Sequence, residues 1–259
     1  MSEFDGKVVV ITGAASGFGE ATAKRFGAEG AKVVVADVDT ENAERVAGEI
    51  GDNATPVTVD VRDTKAVAAM IEAAESRFGG LDILINNAGL TRRAGPVEDS
   101  SEDDFDFTME VNVKGVYLGI KHGVPALRRR GGGVILNTAS IIALVPRKHT
   151  LQYTASKGAV VAMTKAAALE LAPTIRVSCV CPVAADTNFM RGAVGGDEET
   201  YQAAREQMRA TAHVGVPLGR RAEPEDVAGA FLFLASDDAK FLSGVVLPID
   251  GGRSAGDFT

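Results

Sequence analysis

Tyr153 and Lys157 stand four residues apart in a stretch with helical spacing, 153–171, so both side chains project from one face and can reach the same ligand. That pair suits proton transfer at an oxygen whose charge changes. Hydride delivery to a carbonyl builds negative charge on oxygen and needs a proton donor, and the reverse reaction needs a base. A phenol with an unperturbed pKa of about 10 is a poor base at neutral pH. Lowering it by about three units takes roughly 4 kcal/mol, and unit charges about 4 Å apart interact by about that much at an effective dielectric near 20. A lysine at this spacing is a partner of the right size. Taken singly, a helix tyrosine is usually packing and a lysine usually solvated, so the weight rests on their joint spacing and on what surrounds them.

A second feature with chemical content is the glycine-rich turn Thr12-Gly13-Ala14-Ala15-Ser16-Gly17-Phe18-Gly19, set between the apolar run 8–11 and a helical stretch that starts near Glu20. Glycines at a strand-to-helix turn allow a sharp bend, close approach of a pyrophosphate to main-chain N–H groups, and tight packing of the helix with its positive end toward the anion. The elements that carry these residues alternate. Short β-branched apolar runs at 8–11, 33–36, 57–59, 81–85, 134–136, 175–181 and 245–249 read as buried strands, and between most of them lie helical stretches such as 20–29, 40–50, 64–78 and 153–171. The pattern predicts an α/β fold: a doubly wound, Rossmann-like parallel sheet of about seven strands, helices on both faces, and a ligand crevice at the carboxyl ends of the strands. No linker-like stretch, low-complexity segment or internal repeat interrupts it, so residues 1–259 are expected to form a single domain.

Composition narrows the function. A net charge of −8 on 259 residues argues against nucleic-acid binding, which works through clustered Lys and Arg. The basic run Arg128-Arg129-Arg130 stands at the end of a helical stretch, before Gly131-Gly132-Gly133, where cations complement the helix dipole. No apolar run approaches the roughly 18 residues of a membrane span. The amino terminus, Met1-Ser2-Glu3-Phe4-Asp5-Gly6-Lys7, passes straight into the first strand rather than into the longer apolar core of a secretion signal. A cytoplasmic protein without membrane partners is expected. Cys179 and Cys181 alternate along one strand and face one side of it; they are too few for zinc, poorly placed for a disulfide, and expected to pack as small hydrophobes. No metal is expected.

The G-x-x-x-G-x-G spacing of the turn, preceded by Thr12, resembles the dinucleotide-binding motif of the short-chain dehydrogenase/reductase family. Asn86-Asn87-Ala88-Gly89 matches that family's N-N-A-G motif and Tyr153-Thr154-Ala155-Ser156-Lys157 its Y-x-x-x-K signature. Asn112, Ser140, Pro182, Thr187 and Asp250-Gly251-Gly252 follow in family order, so the resemblance runs over nearly the whole chain. It implies an oxidoreductase that interconverts a secondary alcohol and a ketone with a nicotinamide dinucleotide. It implies Tyr153 as general acid/base, Lys157 as its electrostatic partner aided by the charge of oxidised nicotinamide, Ser140 as hydrogen-bond partner of the substrate oxygen, and Asn112 as holder of a water that links the lysine to solvent. Cofactor contacts are implied for Gly13, Ser16, Gly17, Phe18, Gly19, Asp60, Val61, Asn87, Ala88, Gly89, Tyr153, Lys157, Pro182 and Thr187. Asp37 ends the second strand about 20 residues beyond the turn, where a carboxylate accepts from ribose hydroxyls and repels a 2′-phosphate. Ala14, Ala15, Ser16 and Val38 supply no cation of the kind NADP-using relatives often carry there, so the expected cofactor is NAD. Val183 departs from the glycine that many members have after the proline, which leaves the local backbone open.

The substrate side is expected from 90–97, 141–152 and 189–213, the last long enough to act as a lid. Arg92, Arg93, Arg147, Lys148 and His149 near the mouth are consistent with an acidic or hydroxylated small-molecule substrate and equally with a solvated loop. The resemblance implies a homotetramer or homodimer packed through helices near 100–130 and 153–171, and Ala159, Val160, Ala162, Met163 and 166–169 offer small apolar surface for it. Two other readings fit. One is a 3-oxoacyl-thioester (acyl carrier protein) reductase, which NADP preference and a basic patch for a carrier protein would favour. The other is a non-catalytic dinucleotide-sensing module, which has no use for the set Asn112, Ser140, Tyr153 and Lys157.

Overall fold

Successive side chains of a strand point to opposite faces, and in β1 (Val8–Thr12) both faces are buried. Val9 and Ile11 pack on one side with Phe26, Val46 and Phe231, while Val8 and Val10 pack on the other with Met70, Leu127 and Leu171. A strand apolar on both faces has to lie inside a sheet covered twice, which is why the sequence shows unbroken apolar runs instead of alternation. The structure, a computed structural model, describes residues 2–92, 94–185, 189, 194, 197–210 and 216–256.

β1, β2 (Lys32–Asp37), β3 (Ala54–Thr58), β4 (Ile83–Asn86), β5 (Gly133–Thr138), β6 (Ile175–Pro182) and β7 (Val246–Ile249) form one seven-stranded sheet in the order β3-β2-β1-β4-β5-β6-β7, and every pairing is parallel. One face is covered by α1 (Gly17–Ala28), α2 (Thr40–Ile50) and, from further along the chain, the helix Pro224–Ala235. The other is covered by α3 (Thr64–Phe78), α5 (Gly115–Arg129) and α6 (Leu151–Leu171), with α4 (Glu102–Met109) leading into α5 through a π-turn at Glu110–Lys114. Counting on, α7 is Glu198–Ala210 and α8 is Pro224–Ala235. The chain leaves β1 toward β2 and β3, then returns to lay β4 on the opposite flank of β1. That reversal opens a crevice at the carboxyl ends of β1 and β4, where open α/β sheets bind ligands.

Element bounds differ from the sequence pattern where pairing, not residue type, decides them. The third strand was expected at 57–59 and lies at Ala54–Thr58, because the register of β2 sets it, from Val33↔Ala54 to Asp37↔Thr58. Pro56, which has no N–H to donate, is tolerated there because β3 is an edge strand. α1 begins at Gly17 rather than near Glu20, and α6 begins at Leu151, two residues before the tyrosine. The basic run closing α5 works through pairs as well as through the helix dipole: Arg129 holds Glu75 of α3 with two bonds, 2.9 and 2.8 Å, and Arg130 reaches Asp82 at 3.3 Å. Cys179 and Cys181 are buried free thiols packed with Val116, Ala139 and Val160. Among the described residues no helix is long and apolar enough to cross a membrane.

Candidate active site

At the switch point the turn after β1 meets the loop after β4. Gly13 takes a φ of 66° and Gly17 one of 56°, the left-handed region that costs glycine little. A Cβ on Gly13 would stand 2.8 Å from the Ala88 Cα, and one on Gly19 would stand 2.0 Å from the Gly13 carbonyl oxygen and 2.7 Å from Asn87 Nδ2. Backbone therefore packs on backbone here. The Thr12 hydroxyl accepts from the N–H groups of Asn87 and Ala88, each at 3.0 Å. Asn87 Nδ2 donates back to the Thr12 and Gly13 carbonyls at 3.0 and 3.1 Å, and its Oδ1 accepts from Thr138 Oγ1 at 3.0 Å. The Asn87 side chain is thus a staple across β1, β4 and β5. Ser16 caps α1 without a side-chain bond, and Ser16, Gly17 and Phe18 stand on the cavity wall, so the positive end of the helix is left for an anion. Because the Gly19 contact is with main chain that no rotamer can move, Gly19→Ala is expected to cost about 1–3 kcal/mol of stability. Urea unfolding measures it, and an unchanged midpoint would show that the helix shifts freely.

At the adenosine end expected from sequence, Asp37 accepts from the N–H groups of Ala15 at 2.9 Å and Asp39 at 3.0 Å. Beside it, Arg45 has all its donors engaged: Nε on Asn42, Nη1 on Glu20 and Glu49, and Nη2 on Glu20 and the Ala15 carbonyl, at 2.7–3.3 Å. Asp60 accepts from Arg62 Nε at 3.0 Å and Nη2 at 2.6 Å, which holds its carboxyl below the usual range.

A buried polar chain sets the rotation of α6 against the sheet. Asn86 Nδ2 donates to Asn137 Oδ1 at 2.9 Å, Asn137 Nδ2 to Thr164 Oγ1 at 3.0 Å, and Thr164 Oγ1 to the Val160 carbonyl at 2.8 Å. Earlier on the same helix, Lys157 Nζ donates to the Thr138 carbonyl at 2.8 Å, 5.9 Å from the centre of the Tyr153 ring. Tyr153 is half-buried, with Phe189 tilted against it at 5.8 Å. Ser140, just past β5, caps the short turn Ile141–Ala143 and favours the phenolate form of Tyr153 through its hydroxyl. Burial dominates both titrating groups. It pushes the Tyr153 phenol up to about 12 and the Lys157 ammonium down to about 8. The lowering of the phenol expected from its lysine neighbour is therefore absent in the protein by itself, where burial sets the direction and the Ser140 hydroxyl opposes it.

Asn112 sits in the π-turn, a feature frequent at functional sites. Its Oδ1 accepts from Leu90 N and its Nδ2 donates to Leu90 O, both at 2.8 Å, and to Ser156 Oγ at 3.0 Å. Ser156 Oγ in turn donates to the Tyr153 carbonyl at 2.8 Å. The Asn112 amide thus ties the 87–90 loop to the turn of α6 that carries the tyrosine. A Cβ on Gly89 would lie 3.1 Å from Lys157 Nζ and 3.2 Å from Asn112 Oδ1, so glycine keeps that approach clear.

A cavity of about 640 Å³ runs along the strand ends. Apart from Asn112 and Gly19, which stand behind its wall, every site residue expected from sequence and described in the structure lines it. Thr187 lies outside the described residues, as does Arg93; of the stretch 189–213 only 189, 194 and 197–210 are described. Val183 keeps ordinary backbone: its N–H bonds the Ile249 carbonyl at 3.0 Å, and among described non-glycine residues positive φ occurs at His149 alone. Thr12, Thr138, Phe189 and Arg253 also build the site. Thr12 could have been found as the residue leading the glycine motif, whereas Thr138 contributes a carbonyl, which no residue type signals.

The class that this fold and crevice define is that of the dinucleotide-dependent oxidoreductases. A family model described as enoyl-(acyl carrier protein) reductase matches residues 13–254. The chain is 41% identical to meso-2,3-butanediol dehydrogenase of Serratia marcescens over 98% of this chain and 97% of that protein. It is 40% identical to the 2,5-dichloro-2,5-cyclohexadiene-1,4-diol dehydrogenase LinX of Sphingobium indicum over 97% of each. The crystal structure of 3-ketoacyl-(acyl-carrier-protein) reductase from Brucella melitensis complexed with NADH matches with a TM-score of 0.88 at 44% identity, covering 97% of this chain and 99% of that one. The chain belongs to the short-chain dehydrogenase/reductase family, and it is an oxidoreductase acting on CH–OH groups.

Proposed function

We propose that the protein interconverts a small secondary alcohol and its ketone using NAD, as one catalytic domain, with Tyr153 exchanging the proton at the substrate oxygen. The observation that carries this reading is the meeting of Tyr153, Ser140 and Lys157 on one wall of the cavity that also holds the glycine-rich turn. The cradle fits a dinucleotide: its volume is within the roughly 300–1,000 Å³ of cofactor sites, and Cβ atoms at Gly13 and Gly19 would fill the close approach. Gly13, Ser16, Gly17 and Phe18 would hold the pyrophosphate, Asp37 the adenosine ribose, Asp60 and Val61 the adenine, Ala88 and Gly89 the second ribose, and Pro182 with Thr187 the nicotinamide. When bound, the nicotinamide supplies or accepts the hydride. Ser140 orients the substrate oxygen toward Tyr153, Lys157 stabilises negative charge on the phenolic oxygen, and Asn112 fixes the turn of α6 on which the phenol stands. Incubating the protein with NAD and a panel of small secondary alcohols and diols, and following reduced nicotinamide by absorbance, tests the reading; no turnover with any of them would reject it.

NAD over NADP is supported by Asp37, by the saturation of Arg45, which leaves that cation no free donor for a 2′-phosphate, and by NADH in the Brucella neighbour. Asp37→Ser is expected to move the NAD:NADP affinity ratio toward NADP by roughly tenfold or more, the scale of one charged hydrogen-bonding group. Titrating both reduced dinucleotides by fluorescence measures it, and equal affinities already in the parent would overturn the assignment. The Brucella neighbour also keeps a 3-oxoacyl-thioester reductase in view. Acetoacetyl thioester belongs in the same panel, and turnover confined to it would select that reading. A homodimer or homotetramer joined through α5 and α6 is supported by the exposed Tyr117, Leu151 and Leu169 on those helices.

A further inference from the structure

The charged groups on the cavity wall divide along the sheet. Asp37, Asp60 and Arg62 follow β2 and β3, at the end proposed for adenosine. Past β5, β6 and β7 the charged wall residues are Lys157, Arg147 and Arg253: cations only, with no carboxylate among the described residues, in a chain of net charge −8. Lys157 is engaged by the Thr138 carbonyl. Arg147 and Arg253 are not engaged in this way, for neither guanidinium has a hydrogen-bond or ion-pair partner among the described residues. Arg45, Arg62, Arg129, Arg130 and Arg220 hold carboxylates and Arg176 holds main-chain carbonyls; Arg77, Arg128 and Arg221 hold no carboxylate among the described residues either, but none of those three lines this cavity.

Arg253 is half-buried. The acid closest in sequence, Asp250, has its oxygens on the N–H groups of Gly252 and Ser254, at 3.0 and 2.8 Å. Arg253 follows β7, whose Ile249 pairs with Pro182 of β6, and it lines the same cavity as Pro182, Tyr153 and Lys157. Arg147 comes from the other side, on the loop between Ser140 and Tyr153. The same cavity is lined by the apolar Leu90, Ile142, Val145 and Phe189. A guanidinium fork matches a carboxylate in geometry and charge, and an apolar surround strengthens the pair by lowering the local dielectric.

We propose that this end of the cavity is an anion subsite and that the substrate is a secondary alcohol or ketone whose small apolar body carries a carboxylate, held by Arg253 with Arg147 at the mouth. This rests on the alcohol–ketone reading above, so one arm of its test needs no turnover. With the protein saturated by NADH, quenching of the bound nucleotide's fluorescence is titrated with cyclohexanecarboxylate and with its methyl ester, neither of which can react. The acid is expected to bind roughly ten- to hundredfold more tightly than the ester, the range for hydrogen bonds to a charged group. Arg253→Gln is expected to bring that ratio close to one and Arg253→Lys to keep part of it, while Arg128→Gln, a change at a distant exposed arginine, should keep it whole. In the turnover arm, kcat/KM for 3-hydroxycyclohexanecarboxylate should exceed that for its methyl ester by a similar factor, with cyclohexanol as the neutral reference. Equal binding of acid and ester, or a ratio that survives both Arg253→Gln and Arg147→Gln, overturns the subsite even if cyclohexanol is oxidised. A preference for coenzyme A thioesters over both carboxylates also overturns it, because the anion recognised would then be a phosphate.

Discussion

Tyr153→Phe should lower turnover of a secondary alcohol by about 10²–10⁴, the usual contribution of a positioned acid or base, while dinucleotide affinity stays close to that of the parent. The substitution removes one oxygen and keeps the ring that packs against Phe189. The phenol, pushed up to about 12 by burial, holds its proton firmly at neutral pH, which suits the reductive direction, where a donor is needed. Oxidation needs the phenolate, so positive charge gathered around the oxygen in the loaded site has to bring that value down. Because the chain has 3 tyrosines, an ultraviolet titration of parent minus Tyr153→Phe isolates this one. No ionisation below about pH 11 is expected in the protein alone, with a shift to lower pH once NAD is added. Burial also fixes the sign of the stability effect. The folded chain keeps its phenolic proton above the pH at which the unfolded chain releases it, so this group's contribution is present below about pH 10 and is lost as pH rises toward 12. Full activity in the phenylalanine variant would remove Tyr153 from the mechanism.

The parts of this site that were legible in the sequence are those where residue type and spacing are themselves the physical requirement. Tyr153 and Lys157 must share a helix face, and Gly13 and Gly19 must lack a Cβ because the Ala88 backbone and the Gly13 carbonyl occupy the space. Both face-to-face layers of the core were likewise visible as doubly apolar strands. What stayed hidden depends on partners that residue type does not announce. The Thr138 carbonyl could equally have faced solvent. Asn112 carries a side chain whose present work, bonding Leu90 and Ser156, appears only once α6 and the 87–90 loop are brought together. The bounds of β3 follow the register of its neighbour rather than its own β-branched residues. Arg253 is an ordinary cation in the sequence, and it becomes informative only when β7 delivers it to a wall without acids. The direction of the Tyr153 shift was also out of reach, because it turns on desolvation, a property of the assembled cavity.

Lys157→Met is expected to lower turnover by at least about a hundredfold and, at the same time, to remove a pH dependence from folding. Lys157 is 2% exposed and its ammonium is held down to about 8, from 10.5, by burial. The distance between those values corresponds to about 3 kcal/mol of cost for keeping the charged form inside the fold. Below about pH 8 the group is protonated in folded and unfolded chains alike, and the whole cost is present. As pH rises from about 8 to 10.5 the folded chain gives up its proton first, the unfolded chain binds more protons, and the parent regains stability. Methionine fills similar volume without a proton to lose. Its own penalty, a Thr138 carbonyl left without a donor at about 1–3 kcal/mol, does not change with pH. The difference in urea-unfolding free energy between parent and variant should therefore move by about 2–3 kcal/mol in favour of the parent between pH 7 and pH 10. Parallel curves would mean that the buried amine carries no strained charge.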